Sequence, residues 1–316
     1  MAKKQLSSVE VFAPASVANL GSGFDVFGLA LTGPGDIISV THNSGKGLII
    51  KTITGDKGLL SKVAEENTAT VALKAFLQAI GKPLSLDVRI HKKMPLGSGM
   101  GSSAASAVGA VFAANVLYGS PMKKVELVRW AMEGERVSSG VAHADNIAPS
   151  MLGGFTIVRS MDPFEVIQIP VPKRMYIALV HPNVHVRTSD ARAVLPKNIL
   201  LKTAIKQWSN TASLIAGMYS NDIALIGRSM EDFIIEPARK SLIPFYEKVK
   251  EQAMLNAASG CSISGAGPSI VAICDGLSIA NKVGDAMKNV FNKNKIKSQI
   301  YISPIDLKGA RVLNKK

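Results

Sequence analysis

A glycine- and serine-rich segment at positions 95–105 carries residue types suited to holding phosphate groups. Its members are Pro95, Leu96, Gly97, Ser98, Gly99, Met100, Gly101, Ser102, Ser103, Ala104 and Ala105. Glycines adopt positive φ and let the backbone approach a ligand closely. The start of a helix exposes unpaired N–H groups and the positive end of the helix dipole. We therefore predict that this phosphate loop, residues 95–105, binds a nucleotide.

The spacing of the loop separates it from two common nucleotide motifs. A Walker A loop requires a lysine after its last glycine, and none follows Gly101. The glycines form G-x-G-x-G rather than the dinucleotide pattern G-x-G-x-x-G. Phosphate charge must then be met by backbone amides, the helix dipole, Ser102, Ser103 and a metal ion. A Gly/Ser linker is less favoured, because linkers rarely continue into a helix of small residues.

Two further segments combine glycines with polar side chains. Residues 14–25 offer Ser16 and Asn19 as hydrogen-bonding groups and Asp25 as an acid, and residues 261–269 form a second glycine-rich loop before a strand. Taken singly, the first segment is also explained by a structural turn in which Asn19 and Asp25 cap backbone groups. The second is also explained by a β-turn.

The elements that must position these segments follow from apolar periodicity. In the first half we expect strands at 9–13, 36–41, 48–52, 84–91 and 153–158, and helices at 67–80, 103–117 and 120–134. The strands 36–41 and 48–52 are expected to form an antiparallel hairpin around the turn at 43–47. Asn67 is expected to cap its helix.

The second half repeats the mixture of helices and strands. We predict strands at 175–180, 269–274 and 299–303, and helices at 198–219, 243–256 and 277–291. Three prolines fall within 163–173, which suggests a domain boundary there. The chain is accordingly divided into domains 1–170 and 171–316.

Composition indicates an ordinary globular protein with a large core. Of the 316 residues, 47% are hydrophobic and 19% charged. No apolar run reaches about 18 residues, so no membrane span is expected. The N-terminus lacks the apolar core of a signal peptide. Two cysteines do not make a disulfide framework, and Cys274 is expected in a buried strand. The cytoplasm fits these features.

The net charge of +14 first suggests a nucleic-acid binder. The lysines are, however, spread along the chain and are not interleaved with the aromatic residues that single-strand stacking requires. An anionic small substrate such as ATP uses the same positive field. We therefore expect no nucleic-acid partner and no membrane partner.

The three glycine-containing segments, in this order and spacing, resemble the motifs of the GHMP kinase superfamily. The resemblance spans most of the chain, at 14–25, 95–105 and 264–268. Within the superfamily, residues 14–25 and the run 143–154 are most similar to the homoserine kinase family. The resemblance implies an α+β fold of two domains: an N-terminal α/β domain with a left-handed βαβ crossover and a C-terminal ferredoxin-like domain.

The same resemblance implies phosphoryl transfer from ATP to the hydroxyl of L-homoserine, giving O-phospho-L-homoserine in threonine biosynthesis. Ser103 and Glu135 are implied as ligands of Mg²⁺, which usually takes one or two carboxylates plus phosphate oxygens. Glu135 alone is also explained as a solvated charge at a helix end. The substrate residues implied are Asn19, Asp25, His143, Asn146, Thr188, Arg192 and Arg239.

A zwitterionic substrate requires charges of both signs. Asp25, with Asn19 as its neighbour, suits an ammonium group. Arg192 and Arg239 suit a carboxylate, because a guanidinium grips it bidentately. Thr188 is a further candidate contact. Each arginine judged singly is more typical of a surface charge.

The resemblance leaves the identity of a general base open. Asp145 matches the position where other members of the superfamily carry a catalytic aspartate, whereas Asn146 would orient the hydroxyl in a mechanism without a strong base. His143 titrates near neutrality, but we interpret it as a hydrogen-bonding wall. We expect Asn146→Ala to cost much more activity than His143→Ala.

Two alternatives remain at this level. One is another GHMP kinase, acting on mevalonate, shikimate or a sugar; mevalonate has no ammonium for Asp25 to hold. The other is a nucleotide-binding regulator that has lost catalysis. The resemblance also implies a homodimer.

Overall fold

The computed structural model describes residues 6–139 and 142–316, and it contains two β-sheets. Residues 140 and 141 lie between the described ranges, and neither is a predicted site residue. The first sheet has seven strands and the second has four.

The first sheet is built mainly from the N-terminal half. Its strands are β1 (Ser8–Ala18), β2 (Phe27–His42), β3 (Leu48–Thr54), β4 (Leu86–His91), β5 (Phe155–Met161), β6 (Phe164–Ile169) and β11 (Arg311–Lys315). The main order is β11-β1-β2-β4-β3, and β5 pairs with both β2 and β6. The chain's last strand thus pairs with its first, Val9 lying opposite Lys315.

The predicted hairpin of β2 and β3 is wrong. β4 lies between them, antiparallel to β2 and parallel to β3, with Leu86 opposite both His42 and Leu48. The alternating pattern correctly predicted the strands, but such a pattern specifies which face of a strand is buried and not which strand lies beside it. The parallel pair β3–β4 is connected through α1 (Thr68–Ala79). The left-handed sense of this crossover stays a prediction.

Helices cover the buried side of the first sheet. They are α1, α2 (Ser102–Leu117), α3 (Lys124–Ala131), the short α4 (Glu135–Ser139) and α5 (Ile147–Leu152), with a 3-10 turn at Met132–Gly134 between α3 and α4. The predicted cap is confirmed: Asn67 accepts a hydrogen bond from the amide of Ala69. α2 is rich in alanine and buried on nearly all sides, which lets it pack closely on β1 and β2.

The second sheet has the predicted ferredoxin-like arrangement. Its strands are β7 (Met175–Pro182), β8 (Gly260–Ile263), β9 (Ile270–Asp275) and β10 (Ser298–Pro304), in the order β10-β7-β9-β8 and antiparallel throughout. Between β7 and β8 run α6 (Thr188–Ala193), α7 (Leu201–Ser220), α8 (Ile223–Arg228), α9 (Ile235–Arg239), a 3-10 turn (Lys240–Leu242) and α10 (Tyr246–Leu255); α11 (Leu277–Lys293) connects β9 to β10.

The region in which a domain boundary is predicted, 163–173, contains a strand. β6 pairs with β5 in the first sheet, and the chain then enters β7. Prolines flank β6 without interrupting it, so the ladder of hydrogen bonds is not broken. Cys274 is fully buried in β9, as predicted, and neither cysteine forms a disulfide. The division at 170/171 stays a prediction, with β11 from the C-terminus joining the first sheet.

Candidate active site

The phosphate loop has hydrogen-bonding groups that find no partner among the described residues. Gly101 is left-handed, with φ 66°, and directly precedes α2, so no side chain caps the helix's first amides. Within the described ranges, the buried hydroxyls of Ser98, Ser102 and Ser103 have no hydrogen-bond partner. Buried polar groups are normally satisfied. Unused hydroxyls beside uncapped amides therefore fit an anionic, oxygen-rich ligand.

Three segments distant in sequence interlock at this loop through close backbone contacts. The Ser264 hydroxyl donates to the carbonyl of Gly99 at 2.6 Å, and the Ser16 amide donates to the carbonyl of Met100 at 3.1 Å. A Cβ atom on Gly99 would lie 2.4 Å from the Ser264 carbonyl oxygen. The close approach therefore requires glycine at position 99.

The predicted site residues surround one cavity of about 220 Å³. It is lined by Ser103, Glu135, Asp145 and Asn146, and by all the predicted substrate residues: Asn19, Asp25, His143, Thr188, Arg192 and Arg239. Most of the phosphate loop also faces it, namely Gly97, Ser98, Gly99, Gly101, Ser102 and Ala104. Met100 and Ala105 are fully buried in the core, so only their backbone is available to a ligand.

Asp25 and Arg192 form a bidentate ion pair inside the cavity. Arg192 donates from Nη2 to Asp25 Oδ1 at 2.8 Å and from Nη1 to Oδ2 at 3.2 Å, across 167 positions of sequence. The pair is only about one-third exposed, and Arg192 Nε is buried with no partner in the part of the chain that the structure describes. The cavity therefore contains an acid and a cation side by side.

His143 completes this group as a neutral side chain. Its Nδ1 lies 3.5 Å from Arg192 Nη2 and 3.9 Å from Asp25 Oδ2. Burial lowers the pKa of His143, and the Arg192 charge acts in the same direction, whereas Asp25 opposes them. The ring is then uncharged near neutrality, as its interpretation as a hydrogen-bonding wall requires.

Arg239 lies deeper than Arg192 and is largely occupied by the protein. It is 3% exposed, and it donates to the carbonyls of Ala191 and Gly265 at 2.8 and 3.0 Å. Burial, with the nearby Arg192 charge, lowers its pKa to about 10. Arg239 thereby connects α6 to the third glycine segment.

Asn19 has a similar connecting position. Its Nδ2 donates to the Gly265 carbonyl at 2.9 Å, and its Oδ1 accepts from the Asp25 amide at 3.1 Å. Both ends of the amide thus hold backbone in place. The interpretation of Asn19 and Asp25 as capping groups of a turn therefore applies to Asn19, while the Asp25 carboxylate faces Arg192.

Asp145 and Asn146 lie next to each other at the start of α5. Asp145 is 6% exposed and its Oδ1 accepts from the Asn146 amide at 3.0 Å. Burial, followed by the charges of Asp25 and Glu135, raises the pKa of Asp145 to about 7. The Ser16 hydroxyl donates to Asn146 Oδ1 at 2.8 Å, which orients the amide so that its Nδ2 is the end available to a ligand.

The oxygen atoms near the loop suit a hard cation carried by phosphates. Glu135 begins α4 and is half-buried at the cavity wall, where the unpartnered hydroxyl of Ser103 also lies. Hydroxyl and carboxylate oxygens are the ligands that Mg²⁺ accepts, together with substrate phosphates. Among residues 6–139 and 142–316, no group of three or more His, Cys, Asp or Glu is arranged to hold a metal ion.

A second cavity, of about 940 Å³, begins at the other end of the phosphate loop. Pro95 and Leu96 line it, together with Lys93, His185 and Tyr301 among others. Because the loop separates the two cavities, a ligand whose phosphates lie on the loop can extend in both directions.

Sequence reasoning missed Phe24 and the role of Ser16. The Phe24 ring lies beneath two guanidinium groups, 5.4 Å from that of Arg192 and 4.9 Å from that of Arg239. Phe24 is adjacent to Asp25 within a motif already recognised, so its position was the available signal. Nothing in the sequence indicated that both arginines would meet its ring.

Comparisons with known proteins support the resemblance to GHMP kinases. A family model described as "GHMP kinases N terminal domain" matches residues 67–154, and one described as "GHMP kinases C terminal" matches residues 214–293. A homoserine kinase of Chlorobium phaeobacteroides is 47% identical over 98% of this chain and 100% of its own length. One from Methanococcus maripaludis is 41% identical over 85% of this chain and 88% of its own.

Solved structures extend the similarity to the fold. The crystal structure of a homoserine kinase from Cytophaga hutchinsonii superimposes with a TM-score of 0.95 and 47% identity, covering 99% of each chain. That of a mevalonate kinase from L. major superimposes with a TM-score of 0.74 at 16% identity, covering 96% of this chain and 99% of that one. The second likeness concerns the fold alone.

Proposed function

Because this chain belongs to the GHMP kinase family, we infer that it transfers the γ-phosphoryl group of ATP to the hydroxyl of L-homoserine. One observation carries the inference: a phosphate loop with unpartnered hydroxyls shares a cavity with the ion pair of Asp25 and Arg192. The relatives named homoserine kinase, similar over nearly the whole chain, support the same substrate.

The charges of the cavity suit a small zwitterion. The ammonium of the amino acid would bind Asp25 and its carboxylate would bind Arg192, each replacing the partner that the side chain now has. Arg239 is deeper and already bonded to two carbonyls, so it would contribute mainly its charge and its remaining N–H groups. Thr188, at the start of α6, borders the same space.

The reacting groups would be positioned at the start of α2. Backbone amides and the hydroxyls of Ser98, Ser102 and Ser103 would hold the phosphates, while the second cavity would take the nucleoside. Ser103 and Glu135 would hold Mg²⁺, which neutralises phosphate charge when bound. Phosphoryl transfer needs mainly such positioning and charge neutralisation.

Asn146 would orient the acceptor hydroxyl through Nδ2, because Ser16 occupies its Oδ1. Asp145, with a pKa near 7, is half-deprotonated near neutrality and is the carboxylate able to take the hydroxyl's proton. His143 Nε2 is buried without a partner in the described ranges and would donate to the substrate.

The experiment is ADP release with Mg-ATP and a panel of acceptors. We expect turnover with L-homoserine, and none with mevalonate, shikimate or galactose. Two analogues test the zwitterion: 4-hydroxybutyrate lacks the ammonium and 3-aminopropanol lacks the carboxylate. Each should raise KM by about 100-fold or more, since each leaves one half-buried charge of the Asp25–Arg192 pair without its ligand. Equal turnover of 4-hydroxybutyrate and L-homoserine would refute the role of Asp25.

The alternative of a non-catalytic regulator has a distinct result. Such a protein would bind ADP and show no turnover with any acceptor. Turnover of a different alcohol would retain the nucleotide half of the proposal and discard the substrate half.

We further propose that the enzyme is a homodimer joined along α7. One face of this helix carries exposed apolar side chains at Leu201, Ile205, Trp208 and Tyr219, which are 46–68% exposed. With Ala212 and Ile215 between them, the spacing alternates between four and three residues, as in a coiled-coil seam. Twenty residues of helix give a seam of about 30 Å, long enough for a twofold contact with a second copy.

Sedimentation of the wild type and of Trp208→Glu tests this contact. We expect a dimer for the wild type and a monomer for the variant, because a charge in the seam must be desolvated. Leu277→Glu, at an equally exposed apolar residue on α11, is the control and should leave the dimer intact. A monomeric wild type, or a Trp208→Glu dimer of unchanged affinity, would contradict the proposal.

The reaction would belong to threonine biosynthesis, and we place the enzyme in the cytoplasm. Two buried free cysteines support a reducing compartment. Within the described residues, no helix has both the length and the hydropathy needed to cross a bilayer.

A further inference from the structure

A buried ion pair lies directly beneath the phosphate loop. Lys92 follows β4 and its side chain is 1% exposed; its partner, Asp36 of β2, is completely buried. The Lys92 ammonium also donates to the Ser102 carbonyl at 2.6 Å and to the Ser106 hydroxyl at 2.9 Å. Asp36 uses its other oxygen to accept from the Lys93 amide at 2.9 Å. All three ammonium protons therefore have acceptors.

Fold stability alone gives little reason for a lysine at this point. The ammonium bonds to the first residue of α2, where the helix dipole is already positive, and a cation at that end is unfavourable. Removing an ion pair from water often costs as much as the pair's attraction returns. Burial accordingly lowers the pKa of Lys92, against the opposing charges of Asp36, Glu135 and Asp56.

A bound phosphate group changes this balance. The phosphate loop contains no lysine of its own, but the Lys92 ammonium bonds to the turn of α2 that also carries the unpartnered hydroxyls of Ser102 and Ser103. A charge in the dry interior acts over several ångströms with less screening than one in water. An ammonium bonded to this turn therefore attracts an anion bound at the same turn, while its hydrogen bonds to Ser102 and Ser106 hold the turn in place.

We propose that Lys92, held by Asp36, is the positioning residue of the phosphate loop and supplies from below the positive charge that the loop lacks. This rests on the proposed use of ATP. Lys92 borders the second cavity, but its ammonium is not free to bind the nucleotide, since its three protons are taken by Asp36, Ser102 and Ser106. It acts through the first turn of α2.

The test removes the pair as a unit, in the variant Lys92→Met/Asp36→Asn. Replacing both partners avoids an unpaired buried charge, so the protein is expected to fold. By calorimetry, the double variant should bind ADP about tenfold more weakly than the wild type does. KM for ATP should rise by a similar factor, whereas KM for L-homoserine should not change. Lys51→Met/Asp87→Asn removes a more exposed pair between β3 and β4 and is the matched control.

The outcomes separate the inference from the function on which it rests. A wild type that fails to bind ADP refutes the proposed function at its nucleotide half. A folded double variant that binds ADP within twofold of the wild type refutes the role of Lys92. Equal rises in KM for both substrates would indicate a merely structural pair.

If the double variant does not fold, a measurement on the wild type still tests the role of Lys92. With ¹⁵N-labelled lysine, the buried ammonium of Lys92 should give an NMR signal that shifts when ADP is added, while that of Lys51 stays in place. A Lys92 signal unmoved by saturating ADP would overturn the proposal.

Discussion

At the scale of single residues, the candidate site is a set of charges whose neighbours determine their state. His143 is kept neutral by burial, Asp145 is kept near half-protonation by burial and two other acids, and Asp25 and Arg192 neutralise one another. Asn146 has no charge, but Ser16 fixes which end of its amide is free. The protein thus fixes the orientation of the Asn146 amide, whereas His143 Nε2 has no partner among the described residues.

Alanine variants of Asn146 and His143 test this ranking. We expect Asn146→Ala to lower kcat by roughly 100-fold or more, since an oriented donor at the reacting atom is lost. His143→Ala should lower kcat by less than about tenfold and act mainly on the KM of the amino acid. The reverse order of losses in steady-state assays would contradict the assignment.

At the scale of elements, the site depends on how closely α2 approaches β1. Gly101 stands where a Cβ atom would lie 2.0 Å from the Ser16 hydroxyl and 3.0 Å from Asn146 Oδ1. The turn before α2 and the Ser16–Asn146 hydrogen bond therefore share one small space. Small residues along α2 serve the same purpose further down the helix, where Gly109 contacts Ile38.

Gly101→Ala tests the importance of that space, with Gly119→Ala as its matched control. Both glycines have positive φ, 66° and 83°, but a Cβ atom on Gly119 meets nothing within 4 Å. Each variant should lose about 1 kcal/mol of stability from backbone strain. Only Gly101→Ala should also lower kcat/KM by more than about tenfold, because it displaces Ser16 and Asn146. Equal activities of the two variants, once corrected for folded fraction, would argue against this geometry.

At the scale of the whole molecule, the cavity that the three distant glycine segments form contains a buried carboxyl, that of Asp145. Asp145 binds a proton more tightly in the folded protein than in the unfolded chain, where its pKa is 3.8. Between about pH 4 and pH 7 the folded state therefore holds more protons. The contribution of Asp145 to the free energy of unfolding is fully present below that window and falls as pH rises through it.

Asp145→Asn, which keeps the shape without the charge, measures this contribution. At pH 4 the variant and the wild type should be equally stable. At pH 8 the variant should be more stable, by on the order of 4 kcal/mol if the whole shift is expressed. Urea unfolding in EDTA and without nucleotide gives the comparison, and Asp285→Asn, on the exposed face of α11, is the control. A difference between variant and wild type that does not change with pH would refute the assignment.

Much of the local structure could be predicted from residue types and spacing, whereas most of the candidate site residues were implied by the family resemblance, and the structure brings them to one cavity. Asn67 was recognisable as a cap, α2 as a helix of small residues behind a glycine loop, and the three glycine segments as a kinase signature. These features are local, because caps, turns and periodic faces depend on residues within a few positions of one another. The family and its reaction follow from the same segments.

The tertiary structure alone decided which of these pieces are neighbours. It placed β4 between β2 and β3, although their alternation fitted a hairpin equally well. It joined Asp25 to Arg192 across 167 positions and Lys92 to Asp36 across 56. A side chain's type states what it can bond to, but the partner is selected by packing of the whole chain, which brings distant residues together at a cost that no local pattern records. The chemistry of the site was therefore readable in the sequence, whereas the pairing of its charges was not.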